Sequence, residues 1–234
     1  IGITPIGVLN QSMGDALKQA DLAMYQAKAA GRNTMCFFNP QMQIAATAKA
    51  TLNTDLRQAF YEHQFIVHYQ PQVGGEGQMV GVEALLRWQR PERLVMPDEF
   101  ISQAEQSGLI LPIGHWVLET ACAQLVTWSQ QPETAKLCIA VNVSVRQFCH
   151  PEFVDQVMAL IQRTGIQASR LKLELTESLL AVDIDVTIAK MGMLKDAGVT
   201  LSIDDFGTGY SALSSLKKLP LDQLKICRSF VKDV

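Results

Sequence analysis

Apolar residues in this chain recur with two periods, and the switches between them mark out most of the elements. Leu17, Ala20, Met24 and Ala27 stand at helical spacing, and the Ala-rich stretch 39–60 repeats that period with Leu52, Leu56 and Phe60 on one face. Asp15 is placed to cap the first of these helices and Gly31 to stop it. Ile1 to Ile6 and Met35 to Phe38 read as short strands. From Phe65 onward, short apolar runs alternate with helical stretches. Strands are predicted at Phe65–Tyr69, Met79–Arg87, Leu137–Ser144, Leu171–Thr176, Val199–Asp204 and Leu221–Cys227. Helices are predicted at Asp98–Ser107, Pro112–Trp128, Glu152–Thr164 and Asp185–Ala197, with Gly108, Gly165 and Gly198 as stops. Strand and helix in strict turn imply a largely parallel sheet.

Most of these strands interrupt an apolar run with one polar residue. Glu83 does so in Val82-Glu83-Ala84-Leu85-Leu86-Arg87, Asn142 in Ala140-Val141-Asn142-Val143-Ser144, and Glu174 in Leu173-Glu174-Leu175-Thr176-Glu177. Asp204 and Asp205 follow in Ser202-Ile203-Asp204-Asp205-Phe206-Gly207, and Lys225 in Leu224-Lys225-Ile226-Cys227. Successive strand side chains face opposite ways, so each polar position has a defined direction. Its companions two residues away are small or polar: Gly81, Ala140 and Ser144, Thr200 and Ser202. The other face carries Ile139, Val141 and Val143, or Leu171, Leu173 and Leu175, suited to packing under helices. The pattern sends Glu83, Asn142, Glu174, Asp204 and Lys225 inward together, and in a closed parallel barrel catalysis sits at the carboxyl ends of the strands. Taken singly, Asp204 or Asp205 would serve as a helix cap, Asn142 as a turn residue and Lys225 as a solvated strand end. Taken together, those readings require an independent coincidence at every position on one face.

Two carboxylates about 4 Å apart repel by about 4 kcal/mol at an effective dielectric near 20. Several acidic groups at one spot therefore need cations between them, or must take up protons. The donor set is all oxygen, and none of His63, His68, His115 or His150 joins it. Mg²⁺ or Mn²⁺ fits such a set better than zinc. Adjacent Asp204 and Asp205 can face two ions, and two-metal sites activate water and stabilise the leaving oxygen in phosphodiester hydrolysis. Lys225 would hold that water or the phosphate charge, and Arg87 is placed for bidentate phosphate contact. Gly207-Thr208-Gly209-Tyr210-Ser211 reads as a loop tied to the aspartates. Glu177 lies on the opposite strand face from Glu174, which gives it a loop-holding role before a metal role. Trp116 and Trp128 read as core, and His68 fits either a structural or a functional role.

Composition narrows the partners. The 234 residues are 48% hydrophobic and 18% charged, enough for a sizeable core and against wholesale disorder. A net charge of −3 and a pI of about 5.8 argue against a nucleic-acid duplex as the main partner. The five cysteines are odd in number, scattered and never paired as Cys-x-x-Cys, which points to reduced thiols and a cytoplasmic setting. No apolar run reaches the roughly 20 residues of a membrane span. The chain begins without Met, in mid-strand, and shows only six barrel strands, so it reads as a fragment cut at both ends.

From about residue 48 onward the chain closely resembles the EAL family of cyclic di-GMP phosphodiesterases. The resemblance is carried by Tyr69-Gln70-Pro71, Glu83-Ala84-Leu85-Leu86-Arg87, Asn142-Val143-Ser144, Glu174-Leu175-Thr176-Glu177-Ser178 and Asp204-Asp205-Phe206-Gly207-Thr208-Gly209-Tyr210-Ser211. Leu224-Lys225-Ile226 and Ser229-Phe230-Val231 complete it. The resemblance implies an α/β fold, a TIM-like (βα)8 barrel with one antiparallel strand near its start, here truncated after about six strands. It implies two Mg²⁺ or Mn²⁺ ions at Glu83, Asn142, Glu174, Asp204 and Asp205, with Lys225 near the attacking water. Gln70 and Arg87 would contact the substrate, and Glu177 would fix the Asp-Asp-Phe-Gly loop. The implied reaction is hydrolysis of cyclic di-GMP to linear pGpG by a homodimer, in bacterial second-messenger signalling. The alternative is a catalytically silent cyclic di-GMP binding or signalling module. Residues 1–38 are similar to the tail of a GGDEF diguanylate cyclase domain, through Ala20-Asp21-Leu22-Ala23-Met24-Tyr25-Gln26-Ala27-Lys28 and Gly31-Arg32-Asn33. That gives a GGDEF tail at 1–38, a helical connector at 39–60 and an EAL domain at 61–234. The parent protein would be cytoplasmic, with any membrane anchor in an N-terminal region outside this chain. Two departures stand out: Cys227 occupies a position where family members commonly carry Asp, and the family's last catalytic Glu and substrate-contacting Gln fall beyond Val234. The fragment by itself is therefore expected to be inactive.

Overall fold

A computed structural model describes residues 1–6, 12–181, 183–207, 216–227 and 230, the side chains of Ala181 and Asp205 excepted. The chain divides into two compact units, Ile1–Gln58 and Ala59–Val234.

In the first unit, β1 (Gly2–Ile3) pairs in parallel with β2 (Cys36–Phe37), and α1 (Met13–Ala29) lies between them in sequence. Helix α1 turns Ala16, Ala23 and Ala27 into the interior. Its cap is Ser12, not Asp15 as the sequence suggested. Ser12 is still extended (φ −76°, ψ 155°), and its Oγ accepts the Asp15 N–H at 3.1 Å. The Asp15 carboxylate in turn accepts the Ser12 hydroxyl at 2.7 Å, so the acidic residue supports the cap from inside the first turn. Gly31, with φ +98°, ends the helix as expected. The predicted connector is helical from its second residue onward, as α2 (Pro40–Tyr61), and buries Leu56; Ala59, also buried, belongs to the second unit.

The second unit opens on an antiparallel pair, β3 (Phe65–Val73) and β4 (Met79–Gln89). The chain then turns at Arg90, whose N–H donates to Arg93 O, and a two-residue strand, β5 (Leu94–Val95), returns along β4. Pro97 starts a short 3-10 turn, Pro97–Glu99, so the helix expected from Asp98 begins only at Ile101. The Glu99 carboxylate holds that turn by accepting from Arg93 and from the Met96 N–H. Helices α3 (Ile101–Ser107) and α4 (Ile110–Ser129) follow; Pro112 stands in the first turn of α4, where no N–H is required. The remaining strands and α-helices among the described residues are β6 (Cys138–Val143), α5 (Val145–Cys149), α6 (Phe153–Thr164), β7 (Leu171–Thr176), α7 (Ile184–Asp196), β8 (Thr200–Phe206) and β9 (Gln223–Ile226).

The sheet has the order β3-β4-β6-β7-β8-β9, with β5 paired to β4, seven strands among the described residues. Beyond the opening hairpin, β4, β6, β7, β8 and β9 pair in parallel. This is the mixed α/β arrangement of a TIM-like barrel with an antiparallel strand at its start. Val82, Ile139, Val141, Leu171, Leu173, Leu175, Leu201 and Ile203 supply one buried face of the sheet. Val117, Leu118, Ala121 and Leu125 of α4, Val157 and Leu160 of α6, and Met191 and Leu194 of α7 pack against it. At about 2 kcal/mol per fully buried aliphatic side chain, this wall is the main source of cohesion.

Among the described residues the sheet breaks register in two places. The β3–β4 ladder shifts at Gln72/Val73. The β8–β9 ladder shifts between Ile203 and Phe206: Ile203 pairs with Leu224 and Phe206 with Ile226, which leaves an extra residue at Asp204–Asp205.

Candidate active site

Parallel pairing sets the inward positions side by side. Asn142 pairs with Glu174, Glu174 with Ser202, and Thr176 with Asp204. In the antiparallel pair Gln70 stands directly opposite Glu83, and residues opposite each other share a face. Glu83, Asn142, Glu174, Asp204 and Lys225 meet. Carboxylate oxygens of Glu83, Glu174 and Asp204 lie within 4.8 Å of one another. At that separation each pair of charges repels by about 3 kcal/mol at an effective dielectric of 20.

The Lys225 ammonium answers that repulsion. Its Nζ donates to Glu174 Oε2 at 2.7 Å, to Asp204 Oδ2 at 3.0 Å and to Glu83 Oε2 at 3.1 Å. All three ammonium protons are used on three strands. Asn142 Nδ2 donates to Glu83 Oε1 at 2.8 Å. Burial would lower the Lys225 pKa, but the Glu174 hydrogen bond and the surrounding carboxylates raise it above the usual lysine range. Glu174 moves up: burial outweighs the Lys225 hydrogen bond, and the neighbouring acids add to the rise. Its side chain is fully buried, and its second oxygen, Oε1, has no hydrogen-bond partner among the described residues.

Glu177 is buried as well but serves differently. Its Oε2 accepts the Gly207 N–H at 2.9 Å, tying the turn after β7 to the end of β8. Gly207 has φ +100°, and a Cβ there would lie 2.9 Å from Phe230, so two constraints select glycine. Arg87 is half-buried on the same strand as Glu83 and donates from Nη1 to Leu86 O at 2.8 Å. Gln70 and His68 are exposed on β3. The Asp205 side chain, the loop residues Thr208 to Ser211, and Ser229 and Val231 lie outside the described residues. Trp116 and Trp128 are half-buried against the core, the latter with its ring tilted 59° to that of Tyr69 and centroids 5.5 Å apart.

Sequence reasoning missed the partners that steady this end of the sheet. Lys172 Nζ donates to Gln223 Oε1 at 2.7 Å, and both follow from strand parity, two positions before Glu174 and Lys225. Asp222 accepts the Leu201 N–H at 2.8 Å and pairs with Lys195, latching β9 to β8 and α7. An apolar cavity of about 290 Å³ lies beside Asn142, lined by Leu85, Leu86, Pro97, Ile101, Ile110 and Thr176 among others.

An all-oxygen donor set at the carboxyl ends of parallel strands, one buried oxygen unpaired and a cation already demanded, fits a hard divalent ion. The chain also matches known proteins. The EAL domain family matches residues 53–234. Over all of this chain, 44% of residues are identical to the bifunctional diguanylate cyclase/cyclic di-GMP phosphodiesterase MucR of Pseudomonas aeruginosa, covering 34% of that protein. The cyclic di-GMP phosphodiesterase NbdA of the same organism is 41% identical over 94% of this chain and 28% of its own length. The chain thus spans about a third or less of these relatives' length. The solved MucR phosphodiesterase in complex with c-di-GMP is 46% identical and superposes with a TM-score of 0.75, over 78% of this chain and 74% of the other. The EAL enzyme Bd1971, with cAMP and cyclic-di-GMP bound, gives 0.77 at 31% identity, over 95% and 59%.

Proposed function

The chain belongs to the EAL domain family, and from that premise we propose that it forms the metal- and phosphate-handling site of a phosphodiesterase converting cyclic di-GMP to linear pGpG. One observation carries the reading: carboxylates from three strands converge on a single ammonium, with a fully buried glutamate oxygen left over. Glu83, Asn142, Glu174, Asp204 and Asp205 would hold Mg²⁺ or Mn²⁺, two ions in our reading. Such ions, when bound, lower the pKa of water and stabilise the oxygen that leaves phosphorus.

The protein's own groups do the rest. Lys225 keeps a fixed positive charge at the point where phosphate and nucleophile meet, and its raised pKa keeps it from losing that charge near neutrality. Arg87, further along β4 from Glu83, would grip a phosphate oxygen, and Gln70 would orient the substrate from the neighbouring strand. Glu177 holds Gly207, and through it the segment carrying Asp204 and Asp205. The apolar cavity beside Asn142 offers a surface for a flat base.

Residues 1–38 we read as the tail of a GGDEF domain, supported by a match that runs over all of this chain to part of a bifunctional relative. We also propose a homodimer through the EAL domain and a cytoplasmic site of action. No single helix among the described residues is long and apolar enough to cross a membrane.

With Mn²⁺, the protein at its natural length is expected to yield linear pGpG from cyclic di-GMP, measured by chromatography. Chelation should abolish the product, and Glu174→Ala should lower turnover by roughly 1,000-fold, about 4 kcal/mol of barrier. Dinucleotide binding by calorimetry without any product would replace hydrolysis with a silent binding module.

A further inference from the structure

Ser202 lies on β8 two residues before Asp204, on the same inward side, and is fully buried. Its backbone pairs with Glu174 on one side and Gln223 on the other. Neighbouring strands run about 4.8 Å apart, so inward side chains at paired positions adjoin. Glu174 engages Lys225 through Oε2 alone. Its Oε1 and the Ser202 Oγ are both buried, and neither has a hydrogen-bond partner among the described residues. A buried acceptor and a buried donor without partners are each unfavourable, and here they occupy adjacent strands at paired positions. Alanine would fill the position at least as well if packing were its only task. A hydroxyl is worth burying there only for what it donates to.

We propose that Ser202 is a positioning residue for Glu174: the two groups do not bond each other in this structure, and when Glu174 turns to hold a cation the hydroxyl donates to Oε1 and fixes the plane in which Oε2 meets that cation. Ser202 touches neither substrate nor reacting atoms and acts only through the glutamate. Partners of this kind orient a ligand and sharpen its affinity for metal. The inference rests on the metal reading of the cluster.

Titration with Mn²⁺ alone, followed by calorimetry, tests it on wild type, Ser202→Ala and Ser202→Thr, with melting temperatures recorded beside each. Ser202→Ala should weaken Mn²⁺ binding about 10-fold while remaining folded, and Ser202→Thr, which keeps the hydroxyl, should restore affinity to within about twofold. Equal Mn²⁺ affinity in Ser202→Ala and wild type would overturn the inference and leave the metal site standing. So would equal weakening in both variants, since packing alone produces that result. A wild-type protein that binds no Mn²⁺ overturns the metal reading and this inference with it.

Discussion

The two faces of β7 solve different problems with the same backbone. Leu171, Leu173 and Leu175 are all buried in the apolar wall under the helices. Lys172, Glu174 and Thr176, one residue out of step, look inward, and two of them are held by named polar partners. The wall coheres by area and volume, which are additive and indifferent to direction. The inner face depends on single hydrogen bonds, each lost whole when one atom goes. Parity along a strand thus separates what keeps the chain folded from what it folds for.

That separation can be broken or sharpened by substitution. The largest effect on stability belongs to the wall: Leu173→Ala should cost about 2–5 kcal/mol in denaturant unfolding yet leave Mn²⁺ affinity near wild type. A matching loss of Mn²⁺ affinity would show the two faces to be coupled. Next comes Lys225→Met, which strips the carboxylates of their cation. It should destabilise the metal-free protein by about 3 kcal/mol, and added Mn²⁺ should recover much of the loss. The smallest effect concerns Asp222. Although partial burial raises its pKa, the Lys195 contact and the Leu201 N–H hold it below the usual aspartate range. A depressed folded pKa gives stability that is present above the unfolded value, near 3.9, and is lost as the pH falls through the folded one. Wild type should therefore exceed Asp222→Asn in melting temperature at about pH 6 and lose that lead toward about pH 3. Both side chains of the pair are about a third exposed, so screening keeps the contribution to about 1 kcal/mol or less.

Much of this was legible in the chain. The limits of β7 fall where periodicity put them, and parity alone assembled Glu83, Asn142, Glu174, Asp204 and Lys225. Lys225 was readable as inward, but not as the hub of three carboxylates, because its reach depends on how far the strands stagger. Short elements escaped for want of length: β5 has two residues and α5 five, less than two turns of any helical period. The cap of α1 went to Ser12 over Asp15 because the choice depends on where the backbone leaves the extended region, which residue type alone does not specify. Helix α7, expected from Asp185, starts one residue earlier at Ile184, with Asp183 accepting the Val186 N–H. The bulge in β8 was also hidden, since a pattern with period two has no symbol for a residue that belongs to neither face.

That bulge has a cost attached to its removal. Deleting one residue between Ile203 and Phe206 would let β8 run evenly beside β9 and tidy the ladder. It would also remove one of the two adjacent aspartates, although Phe206 would keep its place opposite Ile226 and Gly207 its side of the sheet. A more regular sheet here would be a less capable one, so a shortened variant should melt no lower than the parent while its metal affinity collapses.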